Sequence, residues 1–155
     1  MNRDKSEMED DLQKCAMCYN IGAKYIILRN YKEAEKYLNQ SLALSTKHDQ
    51  RSYMSFALAK LAEVDIFFKK YNDAEKRSDK YFNILDELTQ DNPSQQKNLK
   101  EVKARTHTFY KYLHNQVVKK RLGGQNVTFD LNEGKKMMDE LRSYYRNIEN
   151  TEQIL

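Results

Sequence analysis

Two cysteines stand three residues apart, at Cys15 and Cys18, and two histidines stand seven apart, at His107 and His114. A Cys-x-x-Cys pair can serve zinc or redox chemistry. A zinc site wants four ligands, commonly from two such pairs, and the chain has no second pair. Both cysteines fall on a predicted helix, where small buried hydrophobes are the favoured reading. His107 and His114 share one helix face and could hold a metal, or a phosphate when protonated. Two partly exposed histidines near the last hairpin are the favoured alternative. Asp65 lies on the inner stripe of its helix, and a buried carboxylate needs partners or its pKa rises. It suits an acceptor for a nearby tyrosine, ahead of a groove acid for a basic peptide. No Ser/His/Asp order, phosphate loop or paired-acid motif stands out. Catalytic residues, metal ligands and cofactors are therefore all expected to be none, and the chain is not read as an enzyme.

One charge cluster stands apart. Lys97, Lys100, Lys103, Arg105, Lys111, Lys119, Lys120 and Arg121 face Glu101 alone across residues 94–122. That stretch carries a net +7, which leaves −3 for the rest of a chain of net charge +4. Such a helix suits an acidic partner segment or nucleic-acid phosphates, although charge runs are usually a solvated face. There is no recognised nucleic-acid module, so nucleic acid ranks below protein as a partner.

These residues must be positioned by helices. Residues 19–44 read as one helical hairpin. Cys18, Ile21, Gly22, Tyr25 and Leu28 step by threes and fours along its first helix, and Ala34, Leu38, Ser41, Leu42 and Ser45 along its second. Arg29-Asn30 is the polar turn. Gly22, costly inside a helix, fits a close crossing with Ala34 as the matching small residue. A weaker copy covers residues 54–85, where Tyr71, Asn72, Asp73 and Ala74 repeat Tyr31, Lys32, Glu33 and Ala34 forty residues on. Each unit exposes a face it cannot bury alone, so the units must stack.

The first unit resembles the tetratricopeptide repeat family. Ile21-Gly22, Tyr25, Tyr31, Ala34, Leu38 and Leu42 match its motif, with Ser41 for the second alanine and Cys18 for the tryptophan. The second unit departs more, through Asp65, Ser78 and Tyr81. The resemblance covers roughly residues 14–88. Its longer period is similar to the extended repeats of kinesin light chain, Pins-type adaptors and peptide-sensing Rap-type regulators. It implies a short right-handed superhelical array of about three antiparallel hairpins, an all-α fold, with a concave groove lined by the first helix of each unit. Groove positions carried over are Ala16, Tyr19, Asn20, Ala23 and Ile27, then Phe56, Ala59, Lys60, Glu63 and Phe67. The two-carboxylate clamp of some chaperone-binding members is absent, because Tyr19 and Ala23 occupy its positions.

The chain reads in order as a frayed tail (1–6), a first hairpin (7–47), a second (53–89) and a divergent third hairpin or cap (93–150). Asn92 as cap, Pro93 at the first helical position and Gln95 mark the start of a long helix that stops at Gly123-Gly124. Asp130 and Glu133 begin a last helix striped by Leu131, Gly134, Met137, Met138, Leu141, Tyr144, Tyr145 and Ile148. With 155 residues, one domain fits. No apolar run approaches the roughly eighteen residues of a membrane span, and the acidic N-terminus is no signal peptide. Two cysteines imply no disulfide framework, so the cytoplasm is expected, with the nucleus left open. Asn126, Val127 and Thr128 form a glycosylation sequon, without meaning inside the cell.

The expected function is a non-catalytic adaptor that holds a peptide segment or helix of another protein, with an acidic segment as one option, and no membrane. The alternatives are a regulatory peptide-sensing domain and a nucleic-acid-associated subunit using the basic helix. Self-association through Tyr144, Tyr145, Ile148 and Leu155 is also open.

Overall fold

A computed structural model of the chain describes residues 2–121 together with Lys136 and Ser143. The described residues are all-α, with no strand among them. They form α1 (Asn2–Ile27), α2 (Tyr31–Lys47), α3 (Arg51–Phe67), α4 (Tyr71–Leu88) and α5 (Pro93–Arg121). The helices pack in chain order, α1 on α2, α2 on α3, α3 on α4 and α4 on α5, and α1 also touches α3. The antiparallel hairpins expected from the spacing are present as α1–α2 and α3–α4. Helix α1 begins at residue 2, so the stretch expected to be a tail is its first turn. Glu7 and Asp11 explain how this end is held: both pair with Lys47 at the far end of α2, at 3.1 and 3.0 Å. The expected last helix, its stripe and the C-terminal cluster lie outside the described residues, apart from Lys136 and Ser143, which are helical and exposed.

Gly22 does what the spacing implies. A Cβ placed there would come within 2.7 Å of Leu38 Cγ and 3.3 Å of the Ala34 carbonyl oxygen. Leu38 is fully buried, so it cannot swing clear, and only glycine lets α1 and α2 approach this closely. Small buried side chains continue the crossing. The Ser41 hydroxyl donates to the Cys15 carbonyl at 3.0 Å, and the Cys15 thiol donates to the Ser41 carbonyl at 3.3 Å. Ser45 returns its hydroxyl to the Ser41 carbonyl. A serine thus fits a tight joint because its one donor is satisfied by backbone. Cys18 is buried too, its thiol donating to Gln40, and both cysteines are free thiols inside the hairpin.

The three short connections share one geometry at twenty-residue spacing. Arg29, Asp49 and Lys69 adopt left-handed backbone, with φ of 60°, 49° and 62°. One residue later, the amides of Asn30, Gln50 and Lys70 donate to the carbonyls of Tyr25, Ser45 and Asp65, each at 2.8 Å. This six-to-one bond closes a helix end and satisfies a carbonyl that has no partner within the helix. Glycine usually takes the left-handed position. An L side chain there costs about 1–2 kcal/mol, which the surrounding packing must offset. The fourth connection differs. Asn92 caps α5 by accepting from the Gln95 amide at 3.1 Å, with Pro93 at the first position as expected.

Helix α3 is central to the core. Its Leu61 and Val64 pack with Ile26, Ala34 and Leu38 of the first hairpin. Its Leu58, Ala62 and Ile66 pack with Phe82, Leu85, Leu99, Phe109, Tyr110 and Leu113. Residues 57–62 are buried without a break, so no side of α3 faces water there. A helix apolar all round is a core helix, and truncating any of its large residues opens a cavity on one cluster or the other.

Candidate interaction surface

The groove positions divide when placed in the fold. Tyr19 of α1 lies against Phe56 of α3, ring centroids 5.5 Å apart, and edge-on to Tyr53 at 6.5 Å. Tyr53 in turn meets Phe56 edge-on. This aromatic trio bridges the two first helices, and offset or edge-on ring pairs add to the burial they bring. Ala16, Ala23 and Glu63 are half-buried, and Asn20 is exposed. Ala59 and Lys60 are not open surface: they are 2% and 9% exposed, within the enclosed stretch of α3. Ile27 and Phe67 lie at the far ends of α1 and α3 and are exposed. The structure therefore brings Tyr19 and Phe56 together with Asn20 and Ala23 on the same helix. It sets Ile27 and Phe67 at a different place, the end of the bundle.

That end was missed in the sequence as a unit. Ile27 and Leu28 close α1, at 79% and 71% exposure, and Phe67 and Phe68 close α3, at 43% and 38%. The two turns touch, because Tyr31 stacks on Phe67 with centroids 3.7 Å apart and Phe68 stands edge-on to both rings. Residues 27–32 and 67–72 carry Arg29, Lys32, Lys69 and Lys70 and no acid. Lys70 holds its ammonium 5.7 Å from the Phe68 ring centre, a cation–π contact. The available signal was an apolar pair followed by a cation, repeated forty residues apart.

Helix α5 presents Lys97, Lys100, Lys103, Arg105 and Lys111 as exposed residues, opposite a face where Leu99, Thr106, Phe109, Tyr110 and Leu113 are buried. The side chains of Lys119, Lys120 and Arg121 lie outside the described residues. His107 and His114 do not converge on a ligand. Each faces a carboxylate of α4, His107 Nε2 lying 3.4 Å from Asp79 and His114 Nε2 2.8 Å from Glu75. Among the described residues, no group of three or more His, Cys, Asp or Glu side chains could hold a metal ion. No described helix is long and apolar enough to cross a membrane.

Asp65 is buried between α3 and α4. Its partner is the guanidinium of Arg77, 3.3 Å away, and not a tyrosine. Tyr110 instead pairs with the Ser78 hydroxyl at 2.9 Å. The Asp65–Arg77 contact lacks hydrogen-bond alignment. Burial dominates, so its carboxyl is pushed up to about 6 despite Arg77 pulling it down, with Asp73 and Glu35 adding to the rise.

A family model for the CHASE3 domain matches residues 40–155. No curated protein and no solved structure matches the chain. The match begins inside α2 and takes in α3, α4 and α5. It overturns assignment to the tetratricopeptide repeat family. The residues behind that resemblance, Gly22 with Ala34 and Tyr31 with Tyr71, sit at a close crossing and at helix starts after tight turns. Any closely packed antiparallel hairpin makes those demands, whatever its family.

Proposed function

Since the chain belongs to the CHASE3 domain family, a class of sensory domains, we propose that it is a non-catalytic sensory module whose ligand is a peptide segment, free or part of a partner protein. The segment lies across the α1–α3 face around Tyr19, Asn20, Ala23 and Phe56. One observation carries this reading: the Tyr19–Phe56–Tyr53 trio ties the two hairpins together at the surface. A ligand that changes how those rings pack changes how one hairpin sits on the other, which is what a sensor needs. Rigid aromatic anchors beside small and amide side chains also suit peptide recognition. Lys60 and Ala59, being enclosed, are excluded from direct contact.

Domains of this class usually lie outside the cytoplasm. The buried free thiols of Cys15 and Cys18 suit either side of a membrane, so the cytoplasmic expectation is not carried forward.

The test is selection from a displayed library of random peptides on the full chain. Enriched peptides should share a motif and should lose at least tenfold in affinity for Asn20→Arg, which adds bulk and charge at an exposed position without touching the core. Equal binding to Asn20→Arg by every enriched peptide would place the site elsewhere.

A further inference from the structure

We propose that the bundle end formed by the α1–α2 and α3–α4 turns is a docking surface for an anionic lipid membrane, independent of the peptide face. Ile27, Leu28, Phe67 and Phe68 leave large apolar side chains in water at one place, because the Tyr31–Phe67 stack joins the two turns. An exposed patch of this kind marks an interaction site. Its rim selects the partner. Arg29, Lys32, Lys69 and Lys70 surround it with no acid in either turn segment. Among the described residues, none of the four is held in an ion pair, so their charge is available to a ligand. Apolar side chains in front and cations behind are the arrangement an anionic headgroup layer accepts: the first enter the acyl boundary and the second stay among the phosphates.

Shape decides between lipid and an acidic protein. The apolar groups sit on two adjoining turns, with Ile27 and Leu28 79% and 71% exposed, so a protein partner would need a preformed pocket to receive them, whereas a bilayer deforms around them. Helix α5 adds to the same end. The His114 ring lies 6.5 Å from that of Tyr71, the first residue of α4, so α5 has already reached this end there. It continues through residue 121. The expectation of no membrane partner rested on the absence of a spanning segment, which does not bear on a surface contact.

The test uses the full chain and sedimentation with vesicles of phosphatidylcholine alone or with about a third phosphatidylserine. The chain should partition at least tenfold better onto the anionic vesicles at low salt, and lose that preference at high salt. Leu28→Ser with Phe68→Ser, and separately Lys69→Glu with Lys70→Glu, should each lower partition at least tenfold at unchanged helicity by circular dichroism. The chain has no tryptophan, so Leu28→Trp gives a single reporter whose emission should shift to the blue on anionic vesicles. Equal partition of wild type and both double variants, or an unshifted emission from the Leu28→Trp variant, would overturn the proposal. So would tight binding of polyglutamate with no binding of vesicles, which would mark the surface as one for acidic protein. Peptides selected on the α1–α3 face should still bind Leu28→Ser with Phe68→Ser, so failure of one site is distinguishable from failure of the other.

Discussion

The two ends of the helical bundle solve the same problem in opposite ways. Each closes helices with at least one short turn of the same left-handed shape. At the end where α1 begins and α2 passes to α3, a set of charges is paired within the chain. Glu7 and Asp11 hold Lys47, Asp11 also holds His48 at 2.8 Å, and Arg51 bridges Asp49 and Glu87. At the opposite end, residues 27–32 and 67–72 carry cations and no acid, and their apolar side chains Ile27, Leu28, Phe67 and Phe68 are exposed. Turn geometry alone cannot cause the difference, since Asp49 and Lys69 occupy equivalent positions. It comes from the side chains that precede and follow each turn.

The comparison can be broken in several ways, and the largest effects belong to the core that holds both ends in place. Gly22→Leu should overpack the α1–α2 crossing and lower unfolding free energy by about 1–3 kcal/mol or more, and Leu38→Ala should cost about 2–5 kcal/mol. Denaturant melts check both. If Gly22→Leu were neutral, α1 would not sit as closely on α2 as the structure has it.

Asp65 gives the next effect, through pH. Its folded pKa is raised to about 6 from 3.8 in the unfolded chain. Between these values the folded state binds the proton and the unfolded state does not, so the stabilisation is present below about pH 4 and lost as pH rises to about 6. A rise of this size corresponds to about 3 kcal/mol. Wild type should therefore gain stability on going from pH 7 to pH 5, and Asp65→Asn should be much flatter across that window. A wild type that loses stability there would mean the carboxylate is well paired.

The closed end has the opposite sign. The His48 and Lys47 side chains hold the Asp11 carboxyl below its usual value by hydrogen bonding. Its contribution is present above about pH 4 and disappears as pH falls below that. Asp11→Asn should remove this acid limb and change stability little at neutral pH, since ion pairs near the surface contribute little. At the open end, Leu28→Ser should leave stability within about 0.5 kcal/mol, because the side chain is already in water. Lys69→Gly should be neutral to slightly stabilising, by up to about 1 kcal/mol, since glycine relieves the left-handed backbone but gains freedom in the unfolded chain.

Much of the architecture was legible in the sequence, for physical reasons that can be named. The stripe through Ile21, Gly22 and Tyr25 and the small residues Ala34 and Ser41 specify a close hairpin. Asn92-Pro93 specifies the start of α5. The twenty-residue rhythm of the turns was hidden because Arg29, Asp49 and Lys69, not glycine, occupy the left-handed positions. Lys60 was placed at an open groove because the repeat resemblance carried it there, yet α3 is enclosed at that level. Asp65 was recognised as inward-facing, but its partner came from Arg77, twelve residues on, which no local spacing reveals. Ile27 and Phe67 were read as groove positions and Leu28 as part of the packing stripe, whereas all three are exposed at one end of the bundle. Only their meeting through Tyr31 makes a surface of them. The family could not be read from the crossing residues, because those residues report hairpin packing.

The most direct single measurement is a paired titration of wild type, Asn20→Arg, and Leu28→Ser with Phe68→Ser. Each is titrated against a peptide selected on the wild-type chain and against anionic vesicles. A sensory face and a separate open end predict a crossed pattern: Asn20→Arg loses the peptide and keeps the vesicles, and the double variant does the reverse. If one variant lost both ligands while remaining folded, or neither lost any, the division of the molecule into a sensing face, a closed end and an open end would be contradicted.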